Sequence, residues 1–480
     1  MTSSASSQSR RHFLRAAAGL SAAGATSPFS TPLALSLAGM AALASQSSSA
    51  ANIGGPYRAL VCLFMNGGND SHNWVVPIDA TGYAQYANAR RDLAWPLAGL
   101  QQISASGQEA GRVFGMPTQL QPLRNWHESG RAAVLANVGP LNRPITKAEY
   151  LKGTDLPAKL FSHNDQQSTW QSLSPEGARS GWGGRMGDIL MSANQQPMFT
   201  AVSAAGNAVF LSGSAVTQYQ VGSNGPVKAR ALDNSWVLGS NTAGQVLRTT
   251  LAANGETALQ AEYTRVMQRS ISADVMLQGA LANANVPAIP AELVNPGGGG
   301  TATLDKDSLA KQLRMVAQMI AAGQTMGMRR QVFMVSIGGF DTHANQMRDQ
   351  PVLMARVAQS INYFLSAMNT VGMLDNVTLF TASDFGRTLT SNGDGSDHGW
   401  GSHHFIAGGG VRGATIHGRF PATLVGSNDE VGSGRLLPSL AVTELAASLG
   451  GWMGLSRSEL EMVLPGLSAF GNRAPVMMNV

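Results

Sequence analysis

The chain has 480 residues, 44% of them hydrophobic and 13% charged, against about 25% charged in an average soluble domain. That balance excludes a disordered, solvating chain and supplies apolar material for one large domain or two ordinary ones. Residues 1–50 hold Arg10, Arg11 and Arg15 and no acidic residue; taking those three from the 33 basic residues leaves 30 against 28 acidic ones, with no basic run to bind nucleic acid.

In chain order, Arg10 and Arg11 precede an uncharged stretch, 16–57, rich in Ala, Gly and Ser. This pattern predicts a twin-arginine signal over 1–50, cleaved after Ala44 or Ala50 and read by the twin-arginine export machinery. Its destination is the bacterial periplasm or the exterior. Pro28 and Pro32 interrupt the segment before it reaches the length of a membrane span, so no stable membrane anchor is expected. A single cysteine, Cys62, rules out an intramolecular disulfide and any Cys-x-x-Cys zinc or haem pattern.

Apolar runs at 59–65, 132–136, 331–337, 376–382 and 403–407 predict buried strands. A helix with Pro351 near its first turn carries Val357, Ile361, Phe364, Leu365 and Met368 on one face, and another carries Leu309, Leu313, Val316 and Ile320. Strand, helix and strand with buried runs predict an α/β fold, a large mostly parallel sheet with helices on both faces. Residues 206–304 are richer in Ser, Asn, Gln and Gly, carry a helix marked by Leu259, Tyr263, Val266, Met267 and Ile271, and close on Pro296 and glycines 297–300. They read as a cap inserted between a first part of the core at 51–205 and a second at 305–480; a separate small domain is the competing layout.

Six of the nine histidines fall in four polar stretches. Three of these stretches begin where an apolar run ends, the edge at which open parallel sheets bind ligands. Carboxylates converging in so uncharged a chain repel one another unless a cation neutralises them. Asp341 and His343, Asp384, and His398 are the expected metal ligands, with Asp70 completing the set. His403 and His404 share a strand and face opposite ways, so at most one reaches the site, and His403 is the candidate. Asp with neutral His suits Zn, Mn or Fe, and added oxygen ligands suit Ca or Mg, as one or two ions. Each of these residues also has an ordinary role open to it: an Asx turn, a helix cap or a salt bridge.

Twin arginines followed by GGND, SHNDQQ, GGFDTH, SDFGRT, DHGWGSHHF and AGGGVRG resemble the exported bacterial family called domain of unknown function 1501, over roughly residues 57–463. That family is placed in the alkaline phosphatase-like and sulfatase-like superfamily. The resemblance implies an α/β sandwich with a metal-dependent, ester-cleaving site at the strand ends. It makes Asp70, or Asn66, the first strand's ligand, Asp341 and His343 the mid-chain pair, and His398 the late histidine, with His403 in reserve. Asp384 matches the acidic half of an Asp-His dipeptide whose histidine is here Phe385. Cys62 lies within a strand and lacks the sulfatase Cys-x-Pro-x-Arg pattern, so Ser162, Ser168 and Thr169 near His163 are the available hydroxyls. The expected catalytic group is Ser162, His163 and Arg387, the guanidinium steadying an anion. The expected activity is hydrolysis of a small phosphate or sulfate ester. The competing class is a non-catalytic periplasmic metal-containing binding or assembly protein on the same fold.

Overall fold

The run at 59–65 forms β1 (Arg58–Met65), buried along almost its whole length as a central strand must be. The structure is a computed structural model that describes residues 55–226, 239–240, 242–253, 257–295, 301–471 and 477–478. The signal expected at 1–50 and the glycine joint at 297–300 lie outside the described residues.

A small antiparallel sheet follows β1, made of β2 (Val76–Pro77), β3 (Leu100–Ile103) and β4 (Phe114–Pro117). The large sheet continues with β5 (Ala132–Gly139), β6 (Ala201–Ser203), β7 (Tyr219–Gly222), β8 (Gly225–Pro226), β9 (Arg330–Ile337) and β10 (Val377–Ser383). It is completed by β11 (Ser402–Gly408), β12 (Ile416–His417) and β13 (Leu440–Ala441). Each of the five expected strands forms, its start shifted by at most one residue. The order is β12-β5-β11-β10-β1-β9-β6-β7-β8, with β13 also on β5. β1 runs parallel to both β9 and β10, and β6 runs parallel to β9 and β7.

β11 is the exception within the core, antiparallel to β10 and to β5. Its buried apolar run carries no mark of direction. The chain leaves β10 at one edge, loops through 384–401, and re-enters the sheet from that same edge. The carboxyl ends of β1, β9 and β10 and the amino end of β11 therefore lie together.

The helices used below are α1 (Ala80–Arg90), α2 (His163–Ser172), α3 (Trp182–Leu190), α4 (Ala243–Ala252), α5 (Ala258–Ala282), α6 (Ser308–Gly323) and α7 (Gln346–Thr370). Alternation along β1 sends Ala59, Val61, Leu63 and Met65 into one core with Leu313, Val316 and Ile320 of α6 and Val357, Ile361 and Phe364 of α7. Leu60, Cys62 and Phe64 are buried on the other face, where Trp182 of α3 packs on Phe380 of β10. Helices thus cover both faces, and the fold is α/β with a mostly parallel sheet. Asp307 caps α6 by accepting from the backbone N–H groups of Leu309 and Ala310.

Residues beyond 206 add β7 and β8 to the sheet edge and then form α4 and α5. On α5, Leu259, Tyr263 and Val266 are exposed. Among the described residues, no helix is long and apolar enough to cross a membrane.

Candidate functional site

The exits of β1, β9 and β10 are tied to one another by short bonds. Asn66 N–H donates to Ile337 O at 2.9 Å, and Phe340 N–H donates to Asn66 O at 3.2 Å. Ser383 Oγ donates to Met65 O at 2.6 Å and accepts from Asn69 N–H at 2.8 Å. The loop after β1 needs glycine at 67 and 68: both have positive φ, and a Cβ on Gly67 would strike the Asp341 backbone and one on Gly68 the Phe385 ring. This close approach brings the β9 and β10 loops against the end of β1.

On that edge Asp341 is the centre. Its Oδ1 pairs with Arg387 and lies 2.9 Å from His343 Nδ1 and 3.4 Å from His398 Nε2, while Oδ2 lies 3.6 Å from His163 Nε2. His163 is the first residue of α2, and its Nδ1–H donates to Asp384 Oδ2 at 2.7 Å. His398 Nδ1–H donates to Phe161 O at 2.8 Å. A carbonyl only accepts, so the proton sits on Nδ1 and the His398 Nε2 lone pair is left bare. That Nε2 is buried and has no hydrogen-bond partner. The Phe385 ring walls the group, 4.8 Å from His163 and 4.5 Å from His398 between ring centroids.

The electrostatics follow from this packing. Burial pushes the Asp341 carboxyl up, but the Arg387 hydrogen bond and charge, with His343 and His163, outweigh it and the net shift is downward. Burial raises Asp384, only partly offset by the His163 and Gly67 hydrogen bonds. Burial lowers His398, against the Phe161 bond and with the help of neighbouring His163, Arg387 and His343. A neutral imidazole lone pair and a carboxylate oxygen thus point at each other.

His163, Asp341 and His398 each offer one ligand atom, all within 4.8 Å of one another. Both imidazoles present Nε2 while Nδ1 is held by an oxygen behind it, the outer-shell arrangement that orients metal-bound histidine. This donor set, two imidazoles and a carboxylate, fits a divalent cation.

The other expected residues are distributed as follows. His343 stands at the rim beside Asp341, and Asp384 stands behind His163. Arg387 is fully buried with all three nitrogens engaged, on Phe340 O, Ser396 O and Asp341. Ser162 Oγ donates to Asp165 Oδ2 at 3.0 Å. Asp70 lies apart from the cluster, in a buried ion pair with Arg90, accepting also from Gln346 Nε2 and from His72 N–H. His403 is also apart: its Nδ1 accepts from Asn137 N–H at 3.1 Å and its ring stacks on Phe420. His404, on the opposite side of β11, meets the Trp170 edge.

Sequence reasoning did not find Arg90, Gln346 or the Phe161 carbonyl. Gln346 carried a faint signal, three residues after His343 at the start of α7. A backbone acceptor such as Phe161 O carries none.

The profile of the family described as "Protein of unknown function (DUF1501)" matches residues 57–460. No curated protein matches the chain. Among solved structures, the PsFucS1 sulfatase from Pseudoalteromonas sp. is 10% identical, over 88% of this chain and 72% of that one, with a TM-score of 0.34. The protein Ps i-CgsB, solved with k-i-k-neocarrahexaose, is 8% identical, over 84% and 74%, with a TM-score of 0.32. A sulfatase from a glycosaminoglycan-metabolism locus of Bacteroides thetaiotaomicron is 12% identical, over 84% and 74%, with a TM-score of 0.30.

Proposed function

The chain belongs to the DUF1501 family, and from that premise we propose that it is an exported, metal-dependent hydrolase of a phosphate or sulfate ester. One observation carries the reading: the buried, unpartnered His398 Nε2 faces Asp341 Oδ1 at 3.4 Å. Two electron-rich atoms held in this way, with the imidazole's proton already committed to Phe161 O, call for a cation between them.

His163, Asp341 and His398 hold the ion. When bound, it polarises the ester oxygen and lowers the pKa of a coordinated water. Asp384 keeps the His163 proton on Nδ1, so that Nε2 stays available as a ligand. Arg387 acts through Asp341, fixing that carboxylate rather than touching substrate. His343, half exposed at the rim with Nδ1 on Asp341, is the side chain we assign to pass a proton to the leaving oxygen. Ser162 is committed to Asp165, which favours water over a hydroxyl side chain as nucleophile. The segment following 206 shapes the substrate pocket. Arg10 and Arg11 direct the chain through the twin-arginine route to the periplasm or beyond.

One observation favours the second reading, a non-catalytic metal-containing binding or assembly protein: Arg387 is fully buried and each of its nitrogens already donates within the protein, which places it poorly to meet an anionic substrate. Metal analysis of the folded protein, with assays against phosphomonoesters, phosphodiesters and sulfate esters, separates the two. The enzyme reading predicts bound metal and turnover lost in Asp341→Asn. Bound metal with no turnover above that variant leaves the binding reading.

A further inference from the structure

Beside the cluster lies a hollow of about 370 Å³ whose wall includes Asn66, Asn164, Gln167, Gln171, Asn207 and Glu176, a volume within the usual range for ligand pockets. Two elements join it to the cluster. Asn66 directly precedes Gly67, whose N–H donates to Asp384 Oδ1 at 3.3 Å. Gln167 lies one helical turn, about 6 Å, along α2 from His163 on the same side of the helix. Any group held in the hollow is therefore within reach of an ester at the cluster.

The chemistry of the lining is unusual for a pocket, because ligand sites are mostly apolar with a few polar groups. Here five of the fourteen wall residues are primary amides, and each has one arm tied to protein and the other without a partner among the described residues. Gln167 Nε2 donates to Asn66 Oδ1 at 3.1 Å, which leaves Gln167 Oε1 and Asn66 Nδ2 open. Asn164 Nδ2 donates to Glu176 Oε1 at 3.3 Å, which leaves Asn164 Oδ1 open. Gln171 Oε1 accepts from Phe210 N–H at 3.1 Å, which leaves its Nε2 open. Residues with open donors and residues with open acceptors thus both line a space with no Lys or Arg in its wall. An anion finds no counter-charge there, and a purely apolar group would strand the amides unpaired, at a cost for each. A hydroxyl, which donates and accepts at once, satisfies them.

We propose that this hollow is a subsite for an uncharged, hydroxyl-rich ring of pyranose type, carrying the ester that the cluster cleaves. The link to an ester rests on the hydrolase reading above; the ring's recognition does not. The test is saturation-transfer NMR on the folded, metal-loaded protein, with methyl β-galactopyranoside and methyl α-glucopyranoside as probes and with cyclohexanol and N-methylacetamide as controls. At least one glycoside should receive transfer while both controls stay dark. Gln167→Leu should weaken that binding roughly tenfold, the scale of one or two hydrogen bonds, with metal content and melting temperature held. Asn207→Leu, on the facing wall, should do the same and covers the case in which Gln167→Leu fails to fold. A wild-type protein that binds neither glycoside, or that prefers N-methylacetamide, overturns the proposal, as do two folded variants with unchanged binding. Glycoside binding by a protein that retains no metal supports the ring subsite and overturns the cluster reading instead.

Discussion

Asp70 and Asp341 sit in sister loops, each following a buried strand and a pair of glycines, each with a histidine two residues on. Their surroundings are opposite. Asp70 is fully buried and enclosed by donors: Arg90 neutralises it and shares Oδ2 with Gln346, while the His72 N–H donates to Oδ1. Asp341 is half exposed, and its two oxygens are shared among Arg387 and three imidazoles. Both carboxylates pair with a buried arginine, but Asp70 is enclosed by further donors while Asp341 also faces imidazoles, which is why we assign the ion to Asp341. Motif and strand position are the same for both, so compensation in three dimensions decides the role.

The widest break between the two should come from removing each carboxylate. Asp70→Ala leaves Arg90 buried and unpaired, and should cost about 3–5 kcal/mol in denaturant unfolding. Asp341→Asn keeps an acceptor oxygen for buried Arg387 but removes its counter-charge, and should cost a smaller share of that stability, while metal retention falls more than about a hundredfold, or about 2.8 kcal/mol by the tenfold-per-1.4 rule. Equal stability losses in the two variants would erase the distinction. Asp384→Asn, which acts one bond further out through His163, should weaken metal affinity by about 10–100-fold, read by competition with a chelating dye.

A smaller effect comes from the histidines of the core. Burial lowers His72 to about 4, with Asp70 and Arg90 adding opposing charges, and lowers His404 to about 3. Both stay neutral in the fold while the unfolded chain takes up protons near pH 6.5. Stability is therefore full above that pH and falls as the pH drops towards 4, by up to about 1.4 kcal/mol per unit for each histidine. His404→Phe, which keeps an aromatic contact to Trp170, should flatten the slope of unfolding free energy against pH by one histidine's share. An unchanged slope would mean that His404 is not held neutral.

The strands were readable because strands buried on both faces are mostly apolar and β-branched, and these runs are too short for helices and end at glycine or polar loops. Asp341, His343, Asp384 and His398 could be placed at one edge because parallel strands end there. The direction of β11 was not readable, since a fully buried run looks the same from either end. The compensation of Asp70 was hidden for a different reason. Arg90 lies a helix away and Gln346 lies 276 residues along, and nothing local ties them to a glycine loop. His163 was expected as a catalytic partner of Ser162; its Nδ1–Asp384 bond and its distance to Asp341 depend on where α2 lands over the β10 loop, which no local pattern encodes.

The ligand atoms of the cluster come from residues 163, 341 and 398, three points far apart along the chain. An ion bound there would act as a clasp, closing two long loops whose ends otherwise cost entropy to bring together. Because only the assembled chain offers all three atoms, affinity would double as a readout of completed folding, and melting temperature would climb with free metal. Were the chain exported already folded, as proposed above, the ion would be chosen by the compartment where the chain closes.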